Sequence, residues 1–155
     1  MATLLQEFTE FVATLNRRRL AYAVCGGWAM TIHGCPRATM DIDVMVLPDD
    51  LAQAWQVALD LGYSVEGLPL NFHDGAVEIK RISKIDGETK ILFTIDFLLV
   101  TEATQQIWRD RAVRPVQRDS LLHGSGFQRC RELRCERQRT RRHDHRDLEP
   151  GLHAV

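Results

Sequence analysis

Apolar residues recur at Leu4, Leu5, Phe8, Phe11, Val12 and Leu15 in TLLQEFTEFVATLNRR, with Glu7, Glu10 and Arg17 between them. That 3.6-residue spacing predicts an amphipathic helix with one face for the core. LAYAVC (20–25) then reads as a short buried strand ending at Gly26-Gly27, and residues 28–34 as a short helix closed by Gly34 and by Pro36 beyond it. Ile42 to Leu47 is a second strand, stopped by Pro48. Asp49 or Asp50 is placed to cap a helix through Leu51, Ala54, Trp55, Ala58, Leu59 and Leu61, with Gly62 as its stop. A loop rich in Gly, Pro, Asn and Asp follows at 66–75. Val77, Ile79 and Ile82 alternate imperfectly with charged residues, Asp86-Gly87 marks a turn, and KILFTIDFLLV (90–100) is a long strand, so the pair predicts a β-hairpin. Thr101 opens a helix to about Arg111. The expected fold is α/β in the broad sense (α+β), a mixed β-sheet with flanking helices.

From about Gln117 the pattern is lost. FQRCRELRCERQRTRRHDHRDLEPG has few apolar residues and no sustained period of 2 or 3.6, too little apolar surface to offset the entropy of ordering it. The expected organisation is therefore a core at 1–116 and an atypical Arg-rich, poorly ordered tail at 117–155, with at most a weakly amphipathic surface helix.

Composition narrows the class. Of the 155 residues, 45% are hydrophobic, enough for a sizeable core, and a net charge of −1 gives no global attraction to nucleic acid or membrane. Charge is uneven, however: more than half of the Lys and Arg residues follow Ile107. Cys25, Cys35, Cys130 and Cys135 form no C-x-x-C pair, so buried or free thiols are expected rather than a disulfide framework. No leader-like start and no apolar run near 18 residues is present, and a soluble cytoplasmic protein is expected.

The chemistry concentrates in CGGWAMTIHGCPRATMDIDVMV (25–46). Side chains alternate along a strand, so Asp41 and Asp43 share one face while Ile42 and Val44 enter the core. D-x-D alone also describes an edge strand with two solvated aspartates. Two close carboxylates repel unless a cation lies between them, and Mg²⁺ suits a site of a few carboxylates completed by water and phosphate oxygens. Asp96, set in the apolar stretch FTIDFLLV, needs a partner if buried. Should its strand adjoin the D-x-D strand, three carboxylates converge. Gly26-Gly27 before a helix start offers backbone N–H groups to phosphate oxygens, although Gly-Gly alone is most often a turn. A phosphate site beside a two-metal carboxylate site describes nucleotidyl transfer.

The run CGG-W-A-x-x-x-H-G-x-x-R-x-T-x-D-I-D resembles the minimal nucleotidyltransferases of the DNA polymerase β superfamily, and within it the AbiEii/AbiGii-type toxin group. Gly26 and Gly27 match its first element, Asp41 and Asp43 its acid pair, and Asp96 its third acid. His33, Gly34, Arg37 and Thr39 match further positions of the subgroup, and the likeness covers roughly residues 3–115. The resemblance implies a polymerase-β-like fold and two Mg²⁺ ions, with Asp41 and Asp43 bridging both and Asp96 holding the ion beside the attacking hydroxyl. Gly26 and Gly27 would then receive the β- and γ-phosphates of an NTP, with Arg37 and Thr39 in the phosphate-binding set. It implies an acceptor such as tRNA, other RNA or protein, and an antitoxin partner. An antibiotic (lincosamide or aminoglycoside) acceptor is the same-fold alternative, and a degenerate nucleotide-binding protein the non-enzymatic one.

Other side chains have plainer expectations. Arg37 serves a phosphate or braces Asp41 or Asp43, His33 is structural, Trp28 packs in the core rather than stacking a base, and Lys80, Arg81, Lys84 and Lys90 form a solvated face or contact substrate phosphate. Where the family continues with a lysine-bearing helix and then an Arg-x-x-Asp-x-x-Asp-like helix, this chain has no lysine after Lys90. Zinc binding by Cys130, Cys135, His143 and His145 lacks standard ligand spacing, RNA contact by the basic tail is conceivable, and a shifted reading frame near residue 117 would account for the abrupt change.

Overall fold

A computed structural model describes residues 2–33, 35 and 37–117, together with 127–132. Helix α1, Leu4–Arg17, starts with a capping box in which Thr3 and Gln6 satisfy each other's backbone N–H groups. Strand β1 (Tyr22–Val24) leads into helix α2 (Gly26–Ile32), and strand β2 (Asp41–Val46) follows. Gly34 and Pro36, expected to close α2, lie outside the described residues. Asp50 occupies the N-cap position of helix α3 (Leu51–Asp60), but its side chain makes no capping bond. A 3-10 turn, Pro48–Asp50, carries the chain into α3 instead, begun by the fixed φ of Pro48. Gly62 takes φ +87° at the other end, as its stop position requires.

The expected loop at 66–75 holds two short edge strands, β3 (Val65–Glu66) and β4 (Leu70–Phe72). Both pair with strand β5 (Val77–Ile85), which forms the expected hairpin with strand β6 (Leu92–Leu99). Gly67 and Pro69 hold these edge ladders to two and three residues, too short to show a period in sequence. A 3-10 turn, Glu102–Thr104, capped by Thr101, leads into helix α4, Gln105–Arg109. Strands β7 (Ala112–Gln117) and β8 (Phe127–Glu132) close the described chain. The expected boundary at 116/117 thus falls at the end of β7, and β8 lies inside the segment read as a tail. Its backbone pairs with β7 and, through Val24 and Glu132, with β1, a long-range pairing that no local period announces. The rest of 118–155, including Cys135, His143 and His145 of the expected zinc set and most of the basic tail, lies outside the described residues.

Among the described residues the sheet runs β3-β5-β6-β2-β1-β8-β7, with β4 on β5. It is mixed: β2/β6 and β1/β8 are parallel, the other pairs antiparallel. One face carries Tyr22, Val24, Ile42, Val44, Val46, Ile95 and Phe97 against α1, α2 and α3, forming the main core. Trp28 belongs to that core, stacked on Phe8 at 4.3 Å between ring centroids. The opposite face holds a smaller cluster, Ala23, Cys25, Met45, Val100 and Trp108, which puts α4 on that side. Asp41 and Asp43 alternate with Ile42 and Val44, so they fall on this second face. Cys25 is buried and Cys35 exposed. Among the described residues no helix is long and apolar enough to cross a membrane.

Candidate active site

The parallel pairing of β2 with β6 sets Asp43 in register with Asp96 and Asp41 with Thr94. Paired residues of adjacent strands point to the same face, so the two strands deliver three acids to one place. Ligand oxygens of Asp41, Asp43 and Asp96 all lie within 4.8 Å of one another. Asp96 is only 4% exposed, whereas Asp41 and Asp43 are half-buried. The donor set fits a hard divalent cation: oxygen ligands only, three formal charges and an accessible side for water or phosphate oxygens.

Electrostatics bears the same mark. Burial pushes the Asp43 carboxyl up to about 6, and the neighbouring Asp41 and Asp96 charges push in the same direction. Arg81 and Arg37 oppose the rise without cancelling it. A carboxylate that resists ionisation because it is buried and two others face it is one that a cation stabilises.

The glycine pair is required by close packing. Gly26 has φ +58°, and a Cβ there would stand 2.0 Å from Asp43 Oδ2. A Cβ on Gly27 would meet Thr39 Cβ at 2.5 Å. The first turn of α2 therefore lies directly against the acidic strand and the loop leading into it. Thr39 Oγ1 donates to Asp41 Oδ1 at 3.0 Å, orienting that carboxylate. Trp28 Nε1 donates to the Asp41 carbonyl at 3.2 Å, so the indole fixes the start of β2 as well as filling the core.

The other named side chains sort by position. Arg37 is exposed on the loop before β2 and acts on Asp43 through its charge. His33 stands at the C-cap of α2, its backbone N–H bonded to Ala29 O at 3.0 Å. The four basic residues of the hairpin divide: Lys80 pairs with Glu78 at 3.1 Å, Lys84 with Glu7 at 2.6 Å, and Lys90 Nζ donates to Gly87 O at 2.9 Å.

Arg81 alone of the four reaches the acids, directly across the β5/β6 ladder from Asp96. Its Nε donates to Asp96 Oδ1 at 2.7 Å and its Nη2 to Oδ2 at 2.6 Å, a two-pronged ion pair. This is the partner that burial of Asp96 demands. The sequence held its signal only in the hairpin register, which places Arg81 opposite Asp96.

No protein-family model matches the chain, and no curated protein matches it. Among solved structures it is similar to TM1012 from Thermotoga maritima, assigned as a nucleotidyltransferase, with TM-score 0.51 and 14% identity, over 88% of this chain and 81% of that one. It is also similar to ANT(2″)-Ia, solved in complex with adenylyl-2″-tobramycin, with TM-score 0.47 and 16% identity, over 65% of this chain. That match covers 53% of ANT(2″)-Ia, so the chain spans about half its length. The likeness to TM1012, over most of both chains, shows that the two share a fold, and the expected mixed sheet with flanking helices is present.

Proposed function

We propose that this protein is a Mg²⁺-dependent nucleotidyltransferase that moves an NMP from an NTP to an acceptor hydroxyl and releases pyrophosphate. The observation that carries the proposal is the convergence of Asp41, Asp43 and Asp96 within 4.8 Å on neighbouring parallel strands. When bound, two Mg²⁺ ions neutralise triphosphate charge and polarise the attacking hydroxyl. Asp41, Asp43 and Asp96 would hold the ions, with Asp96 on the acceptor side. Thr39 keeps the Asp41 carboxylate aimed, and Arg37 adds positive charge at the phosphate end. Gly26 and Gly27 let the α2 start pack directly against Asp43 and Thr39, beside the acids, where its backbone N–H groups would receive phosphate oxygens. Catalysis is then mainly positioning and charge neutralisation.

For the acceptor we favour a macromolecule, tRNA or another RNA or a protein, because R-x-T-x-D-I-D (37–43) follows the toxin-type subgroup. The same resemblance supports an antitoxin partner. A small-molecule acceptor such as a lincosamide or aminoglycoside is the competing outcome.

The test is incubation with each α-labelled NTP, Mg²⁺ and total RNA, cell lysate or drug, beside Asp41→Asn and Asp96→Asn. Label should enter one acceptor class and fall at least roughly a hundredfold in both variants, as expected when metal charge stabilisation is lost. No transfer by the unmutated protein to any acceptor overturns the proposal and leaves a nucleotide-binding protein.

A further inference from the structure

The Arg81–Asp96 pair is more than a surface ion pair. Asp96 is nearly inaccessible, with its side chain 5% exposed, and each of its oxygens takes an N–H from the same guanidinium. The Arg81 side chain is 40% exposed, so its head has water to move into while the carboxylate does not. The stem is confined on the other side. Gly67 N–H donates to Arg81 O at 2.9 Å, and a Cβ on Gly67 would stand 3.0 Å from Arg81 Cβ and Cγ. The chain after β3 thus lies along the arginine and holds the fork toward Asp96.

We propose that Arg81 is the resident counter-ion of the third carboxylate and competes with a divalent ion for it. The inference rests on the metal site proposed above. Each Asp96 oxygen has two lone-pair directions, and the fork takes one from each. Among the described residues the Asp41–Asp43 side of the site carries no such fork, so an ion fills that side first. An ion at Asp96 arrives only as at least one Arg81 hydrogen bond is given up. Arg81 is therefore a positioning residue that sets the order and strength of metal loading.

Charge and competition predict different results for the conservative variant. Arg81→Lys keeps the positive charge but replaces a planar fork with a single ammonium. Arg81→Gln removes both. Mn²⁺ is titrated at fixed ionic strength and pH 7.5 into unmutated protein and both variants, with free Mn²⁺ read by electron paramagnetic resonance. The weaker class of sites should tighten about tenfold in Arg81→Gln and about threefold in Arg81→Lys, the scale set by the ordinary net worth of one or two hydrogen bonds to a partly solvated group. On an Asp96→Asn background, Arg81→Lys should change nothing.

Unchanged or weaker Mn²⁺ binding by Arg81→Lys overturns the competition, as does a gain that persists without Asp96. Arg81→Lys also guards against a folding failure in Arg81→Gln, where the buried carboxylate loses its cation, and thermal melting of each protein checks for that. If none of the proteins binds Mn²⁺, the metal site itself falls, and this inference with it. Binding by the unmutated protein with no gain in the lysine variant removes this inference alone.

Discussion

Gly26 shows most directly how one residue type is dictated by geometry. Its φ of +58° lies in the left-handed region, and its α-carbon leaves room for Asp43 Oδ2 where a methyl group would sit 2.0 Å away. Gly26→Ala must therefore move Asp43 or the start of α2. We expect a loss of about 1–3 kcal/mol in stability, the usual cost of forcing a side chain into a strained backbone position, with a larger effect on Mn²⁺ binding than on fold. A melting curve and an Mn²⁺ titration on one preparation separate the two; full-strength Mn²⁺ binding would contradict the packing account. Asp41, Asp43, Asp96 and the glycine pair, which the fold brings together, stood out in sequence as candidates by type and spacing. Arg81 did not, because nothing in its neighbours distinguishes it from Lys80 or Lys84.

Among the elements, α1, α3 and β5 are joined by a clamp that the apolar pattern does not reveal. Lys84 of β5 reaches Glu7 of α1 at 2.6 Å and the Leu61 carbonyl at 3.0 Å, at the end of α3. Tyr63 OH donates to the same Glu7 oxygen at 3.1 Å, and the Lys84 ammonium lies 4.7 Å from the Tyr63 ring centroid. The Glu7 and Lys84 side chains are 12% and 21% exposed, so removing one strands the other in a poorly solvated place. Glu7→Leu or Lys84→Met alone should cost about 2–4 kcal/mol, and the two together much less than the sum. Urea denaturation of the four proteins measures the coupling; additive losses would show that the clamp is not cooperative. The hairpin also shows why element identity is easier to read than register. A two-residue turn at Asp86-Gly87 would pair Ile85 with Glu88 and Asp96 with Val77. Instead Asp86 Oδ1 accepts from the backbone N–H groups of Glu88 and Thr89, and Lys90 takes φ +61°. The wider loop pairs Ile85 with Leu92, which brings Arg81 opposite Asp96.

Across the whole molecule, the acid cluster sets stability against the proposed metal chemistry. Burial first, then Asp41 and Asp96, raises the folded Asp43 carboxyl to about 6 from an unfolded value of 3.8. The folded state thus holds this proton more tightly than the unfolded chain, so Asp43 makes stability fall as pH rises from about 4 to about 6, and the penalty persists above. Below about pH 4 both states are protonated and the penalty vanishes. Asp43→Asn should therefore raise the metal-free melting temperature at pH 7.5 and leave it nearly unchanged near pH 4. Millimolar Mg²⁺ should narrow the gap at pH 7.5 by stabilising only the unmutated protein. Calorimetry at the two pH values checks the sign; a variant less stable than its parent at pH 7.5 without metal would show that Asp43 is not under strain.

The sequence by itself determined the main helices and strands of the first 111 residues, apart from the short edges at 65–72, together with the core face of β2 and the three acids as candidates. Those follow from local period, turn chemistry and residue type, which neighbouring residues express together. It left open what depends on distant segments meeting. The parallel β2/β6 register turned two separate acidic strands into one cluster, and the β5/β6 register gave Asp96 its arginine. The short β3 and β4 edges and the pairing of β8 with β1 belong to the same class. The physical reason is that a ladder register is fixed by backbone hydrogen bonds to another strand and by the packing beneath it.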